Sequence, residues 1–231
     1  MTFLMDPALA KAYADKHSDY YDCLRPEMMS LIPASCQRVL DVGCGSGAFA
    51  SAIKQKLGCE VWGVEPEPAS AAVAASRLDR VICVPFAEGL AITEHTFDCI
   101  IFNDILEHLV DPAQALLYAK TLLRVGGTVV ASIPNIGHFP TIWQLVRHGQ
   151  WKYTERGILD KTHLRFFTRT SIREMFANCG FSQLHIEGIN PYFEMQPTDK
   201  RAWRYYRMIA LTPIQGVRDM RYLQFGVRAG V

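Results

Sequence analysis

Five short apolar runs rich in β-branched residues punctuate the first part of the chain: Arg38–Val42, Glu60–Val64, Arg80–Val84, Phe97–Phe102 and Gly126–Ile133. Amphipathic stretches at Gly47–Leu57, Pro68–Leu78 and Pro112–Leu123 lie between them, the last opening on an Asp111 N-cap followed by proline. Strands alternating with helices are joined by right-handed crossovers, which predicts an α/β fold with a doubly wound, mostly parallel sheet. After Pro134 the alternation stops. Residues 134–165 form a long connection containing His138, Phe139, Trp143, Trp151 and Tyr153, with a short helix expected around Thr141–Arg147. Such a length is more than a turn needs and marks a functional segment. A helix at Thr170–Asn178 follows, stopped by Gly180. Strands at Phe181–Ile189 and Met220–Ala229 then flank a Trp-, Tyr- and Arg-rich helix at Asp199–Leu211. The last strand lacks crossover spacing, so an antiparallel pair at the sheet edge is expected.

Composition narrows the function classes. Lys+Arg 24 against Asp+Glu 23 argues against a protein that coats nucleic acid or lies on membranes by bulk charge, though a local basic patch stays open. No apolar run reaches the 18 residues of a membrane span, and the first residues lack a secretory pattern, so a cytoplasmic location is expected. Seven scattered cysteines, none spaced C-x-x-C, indicate neither a disulfide framework nor a zinc cluster.

The densest signal is Val39-Leu40-Asp41-Val42-Gly43-Cys44-Gly45-Ser46-Gly47, a strand running into a glycine-rich turn that opens a helix. Gly43-x-Gly45-x-x-Ala48 alone also fits a dinucleotide site, and hence a nicotinamide-dependent dehydrogenase. Two carboxylates discriminate. Asp41 stands two residues before the first glycine, where it favours a cationic ligand over a pyrophosphate. Glu65 ends the second strand 20 residues after Gly45, at the spacing of a ribose-binding acid. As alternatives, Asp41 caps a turn and Glu65 is a solvated strand end.

This segment resembles the glycine-rich motif of class I S-adenosylmethionine (SAM)-dependent methyltransferases. Val61–Glu65, Phe97–Ile101 with Asn103 and Asp104, and Leu122–Gly127 followed by Val129–Ile133 are similar to later motifs of that family. The resemblance covers about residues 37–189, and extends more loosely to Tyr20-Tyr21…Arg25-Pro26 and the final strand. It implies one domain with a seven-stranded sheet: a helical cap over 1–36, a cofactor core over 37–135, and substrate-side insertions at 136–168 and 190–218. Asp41, Gly43, Cys44, Gly45, Gly47 and Glu65 would then cradle SAM, with Asn103 and Asp104 near its methionine end. One departure stands out: the family's adenine-binding acid is replaced in Phe86-Ala87-Glu88-Gly89-Leu90, where the Phe86 ring and Ala87 backbone would meet the base instead.

At the reactive end lies Asp104-Ile105-Leu106-Glu107-His108. On a helical turn, positions i, i+3 and i+4 share a face, so these three polar side chains are expected to converge. Two carboxylates and an imidazole suit Mg²⁺ or Mn²⁺. The motif resembles that of ubiquinone-pathway and small-RNA O-methyltransferases, which implies a cation held by Asp104, Glu107, His108 and a later histidine, here His163. His108, with Asp104, could equally act as a direct general base. The segment Gly157–Thr168, with Trp151–Thr154, resembles bacterial methyltransferases that accompany glycosyltransferases in surface-polysaccharide pathways. That likeness implies a sugar, glycan or small-molecule hydroxyl acceptor, with glycosyltransferase-pathway proteins as partners; a phenolic quinone precursor or an RNA 2′-hydroxyl is the alternative, and nucleic acid is the less expected acceptor. A non-catalytic SAM-binding partner protein also remains open. The basic, aromatic stretch Lys200–Arg207 places Arg204 and Arg207 on one face with Lys200, able to meet a phosphate, a nucleotide-sugar or RNA, but reads more simply as a solvated helix face.

Overall fold

The computed structural model describes residues 24–87, 89–191, 207–209 and 211–231. Seven strands form one sheet: β1 (Arg38–Val42), β2 (Glu60–Val64), β3 (Arg80–Ile82), β4 (Phe97–Asn103), β5 (Leu123–Pro134), β6 (Ser182–Pro191) and β7 (Tyr222–Gly230), in spatial order β3-β2-β1-β4-β5-β7-β6. Every neighbouring pair is parallel except those of β7, which runs antiparallel to both β5 and β6. The chain thus winds outward from β1 in both directions. The crevice outside the carboxyl ends of β1 and β4 is the switch point at which such sheets take ligands.

Helices α1 (Ala48–Leu57), α2 (Pro68–Ala75), α3 (Pro112–Leu122), α4 (Phe139–His148), α5 (Arg169–Asn178) and α6 (Gln215–Asp219) complete the described fold, with single 3₁₀ turns at Pro26–Leu31 and Leu106–His108. Parallel strands are covered on both faces, so successive residues must be apolar. Val39, Cys99, Ile101 and Val130 accordingly pack on one side with Met28, Ile53 and Val61. Leu40, Ile100, Phe102 and Val129 pack on the other with Leu116, Phe176 and Phe225.

Within the described residues the expected strands and the helices up to Asn178 are present, with shifted ends. β3 stops at Ile82 because the Val84 N–H turns back to the Ile82 carbonyl at 3.0 Å. β5 starts at Leu123, before Gly126, since Leu123 pairs with Phe97 ahead of a register shift. The shift is absorbed at Gly126 (φ 76°) and at Gly127, where a Cβ would sit 2.8 Å from the Arg124 carbonyl oxygen. The expected antiparallel pair is β6 with β7, although β6, not β7, is the outer strand. Most of the expected helix at Asp199–Leu211, and residues 1–23 of the expected helical cap, lie outside the described residues; the remainder of the cap is the Pro26–Leu31 turn, with Met28 and Leu31 buried.

The edge pair is locked from the side by Arg169. Its guanidinium meets Asp219 through two 2.8 Å bonds, donates to the Ile186 carbonyl, and lies 4.8 Å from the Phe225 ring centroid. With both side chains largely buried, removing one partner strands the other's charge. Arg169→Ala is expected to cost about 3 kcal/mol or more in urea unfolding, whereas the double variant Arg169→Met/Asp219→Leu should recover much of it.

Candidate active site

The loop after β1 is held in its turn by left-handed glycines: Gly43 (φ 69°), Gly45 (54°) and Gly47 (79°). A Cβ on Gly43 would lie 2.1 Å from Ile105 Cδ1, so the tip of the Ile105 side chain would have to give way, while the left-handed φ itself strains any other residue there. Gly43 and Cys44 N–H groups both donate to the Val64 carbonyl, at 2.7 and 3.2 Å. The Glu65 carboxylate accepts from the Gly45 N–H and the Glu67 N–H, each at 2.9 Å. Glu65 is therefore no solvated strand end: it clasps the glycine loop to the tip of β2. Burial raises its pKa, against the pull of those two N–H groups. Cys44 is buried, its thiol pushed up by burial, and a Cβ on Gly63 would fall 2.5 Å from its Sγ. Its side chain is thus core, and only its backbone belongs to the loop surface.

Asp41 is 3% exposed. Burial, with nearby Glu65 adding, pushes it up to about 7, and no hydrogen bond pulls it back. It is no turn cap; it is a buried acid without a hydrogen-bond donor among the described residues. Asn103 ends β4 with its Oδ1 buried and also without a donor among the described residues. Phe86 and Ala87 join the core below the crevice; the Phe86 ring packs edge-on to Phe102 at 5.5 Å and against Tyr118 at 5.3 Å.

The expected convergence on one helical face does not occur. Asp104 is left-handed (φ 53°) and Ile105 has φ −118°, so helical geometry begins only at Leu106. Asp104 turns away to an ion pair with Arg25, and accepts from Gln224 Nε2 (2.7 Å) and Ser132 Oγ (3.1 Å). Glu107, His108 and His163 do come together: one potential ligand atom from each lies within 4.8 Å of the others, and all three are buried. His108 Nδ1 faces the Thr162 carbonyl at 3.0 Å, and His163 Nδ1 faces the Ile158 carbonyl at 2.9 Å. A carbonyl only accepts, which assigns a proton to Nδ1 in both rings; in a neutral ring the lone pair is then on Nε2. Both Glu107 carboxylate oxygens are buried with no donor among the described residues, and burial, with Asp104 next, holds its pKa well up.

Arg25, Gln224 and Ser132 escaped the sequence reading. Arg25-Pro26 was visible only as a loose likeness, and the other two sit inside strands where a polar residue carries no spacing signal.

A carboxyl whose pKa is raised by folding contributes stability that is complete below its unfolded pKa and lost as pH rises through the folded value. For Asp41 that window runs from about pH 4 to about 7. The unliganded protein is expected to weaken across it, and Asp41→Asn, neutral throughout, to flatten the loss by up to about 4 kcal/mol. Glu65 and Glu107 act in the same direction, so part of the slope should remain; urea unfolding at several pH values measures both.

A family model described as a methyltransferase domain matches residues 9–186. Among curated proteins, a ubiquinone biosynthesis O-methyltransferase of Cereibacter sphaeroides is 29% identical over 114 residues, covering 47% of this chain and 46% of that one. One of Psychrobacter arcticus is 29% identical over 177 residues, covering 72% and 66%. The matched stretch thus spans about half the length of the former. By fold, a SAM-dependent methyltransferase of Archaeoglobus fulgidus superposes with TM-score 0.66 at 16% identity, covering 98% of this chain and all of the other. A methyltransferase of Haloferax volcanii, solved with its Trm112 activator, gives 0.64 at 17% identity, covering 98% of both. The glycine loop, its clasp by Glu65 and the sheet order agree with these matches, and the dehydrogenase reading falls away: the chain belongs to the class I SAM-dependent methyltransferases.

Proposed function

We propose that this methyltransferase carries the methyl group to a hydroxyl oxygen, on a sugar, glycan or other small molecule, and that Glu107, His108 and His163 hold a divalent cation beside it. The observation that carries the reading is the buried Glu107 carboxylate, without a donor among the described residues, grouped with two imidazoles whose Nδ1 atoms are already committed. Metal-binding histidines are oriented in this way, their second nitrogen tied to a carbonyl. Two imidazoles and one carboxylate fit Mn²⁺ or another borderline ion better than Mg²⁺. When bound, such an ion lowers the pKa of a hydroxyl and fixes its orientation.

The chain's own groups supply the rest. In this reading the glycine loop and Glu65 receive the nucleoside, with one lone pair of each Glu65 oxygen left for ribose hydroxyls. Asp41 offers negative charge to the cationic end of the donor, and Asn103 Oδ1 an acceptor for its ammonium group. Methyl transfer from a sulfonium needs no covalent enzyme intermediate, so alignment and proton removal are the protein's tasks. The names of the curated relatives favour an oxygen acceptor and make a phenolic quinone precursor the second reading. Proteins of a glycosyltransferase pathway are the partners proposed with the sugar reading.

S-adenosylhomocysteine formation, measured against nucleotide-sugars and catechols, is expected to vanish in chelator and return with Mn²⁺. Glu107→Gln should lower turnover at least about 10–100-fold while leaving S-adenosylhomocysteine affinity unchanged by calorimetry. Undiminished turnover in chelator would remove the cation and leave His108 as the direct base.

A further inference from the structure

Both imidazoles of the buried group are oriented by backbone carbonyls of one short turn, those of Ile158 and Thr162. That turn is internally tied. The Asp160 carboxylate accepts from the Thr162 N–H at 2.9 Å and from the Thr162 hydroxyl at 2.7 Å. The Asp160 N–H donates to Gly157 and its carbonyl accepts from the His163 N–H, each at 3.0 Å. Asp160 and Thr162 are 1% and 0% exposed, inside a segment that is otherwise mostly surface. The same turn is stitched to the 3₁₀ turn of Glu107 and His108, because Leu164 and Arg165 both donate to the Glu107 carbonyl, at 2.8 and 3.0 Å.

An aspartate that bonds the N–H two residues on closes an Asx turn. A glutamate can make the same bond, as Glu65 does with the Glu67 N–H, but at Asp160, 1% exposed, its extra methylene would have to be forced into a packed site. Closing it here sets the direction of the Thr162 carbonyl, and with it the ring it receives. We propose that Asp160 is the positioning residue of the histidine pair: by closing the 158–163 turn it fixes the protons on Nδ1 and presents Nε2 of His108 and His163 toward Glu107. What the two nitrogens then bind rests on the cation reading above; the positioning does not. The role needs an acceptor oxygen at that length, not a charge. Asparagine should therefore serve, while glutamate, with the charge kept but the reach changed, should not.

The test is the tautomer of each ring in the full-length protein. Histidine-¹⁵N-labelled protein is recorded at about pH 8, where an ordinary imidazole is neutral, with His108→Asn and His163→Asn assigning the signals. Wild type and Asp160→Asn are expected to show one tautomer for both rings, protonated at Nδ1. Asp160→Ala and Asp160→Glu should show mixed tautomers and, where wild type binds Co²⁺, an affinity about 10–100-fold weaker. Wild-type tautomers in folded Asp160→Ala overturn the proposal. Should that variant not fold, Asp160→Glu decides: wild-type signals there, or mixed tautomers in Asp160→Asn, overturn it equally. A wild type that takes up no Co²⁺ removes the cation and leaves the tautomer result to stand by itself.

Discussion

A carboxylate taken out of water must be met by donors or keep its proton. Among the described residues, four are buried around the carboxyl ends of β1, β2 and β4: Asp41, Glu65, Glu107 and Asp160, none more than 4% exposed. Glu65 and Asp160 are met by backbone N–H groups, and each thereby fixes a turn. Among the described residues, Asp41 and Glu107 are met by none. The division is physical before it is functional. Donor-satisfied acids shape the site, while the two unsatisfied ones keep an electrostatic debt that a positive partner can discharge. They are the two for which our reading supplies one, the cationic end of the donor for Asp41 and a divalent ion for Glu107.

The sheet was legible because both signals behind it are local. Continuous apolar runs such as Phe97–Phe102 must be covered on both faces, and glycines at 43, 45 and 47 permit one tight turn. β1 and β2 fall at their expected limits for this reason. The ends that moved, at β3 and β5, depend on a returning hydrogen bond and on a neighbour's register, which no single strand's sequence contains. The site divides the same way. Asp41 and Glu65 were found from spacing to the glycines. Grouping Asp104 with Glu107 assumed a helix that starts two residues later than the assumption requires. His163, 55 positions beyond His108, was placed through resemblance, since spacing cannot connect residues that only the fold brings together.

Why Asp104 turns away is itself a tertiary effect. Arg25 (φ 44°), Asp104 (φ 53°) and Asn190 (φ 53°) are all left-handed without being glycine, and all belong to one polar network. Arg25 meets Asp104, Glu27 and Gln224, and Asn190 donates to Gln224 at 3.0 Å. Such conformations cost about 1 kcal/mol or more each and persist only where surrounding contacts over-determine them. The network joins the approach to β1, the tip of β4 and the paired ends of β6 and β7. Its charge-assisted bonds hold the Asp104 backbone in the conformation from which the Glu107–His108 turn departs. Asp104 shapes the site from its rim, and sequence alone could not separate that role from a ligand's.

The long segment after β5 shows how an irregular stretch can hold buried chemistry. Loops ordinarily stay at the surface because their backbone groups need water. Here the 158–165 stretch replaces water with its own donors and acceptors: carbonyls for two imidazoles, a carboxylate for Thr162, and two N–H groups for the Glu107 carbonyl. These particular bonds tie the stretch to itself and to the Glu107–His108 turn. A buried polar network is stabilising only when its members are satisfied together. The sheet fixes where β4 ends; the insertion, by being stitched to that point, determines which atoms face one another there.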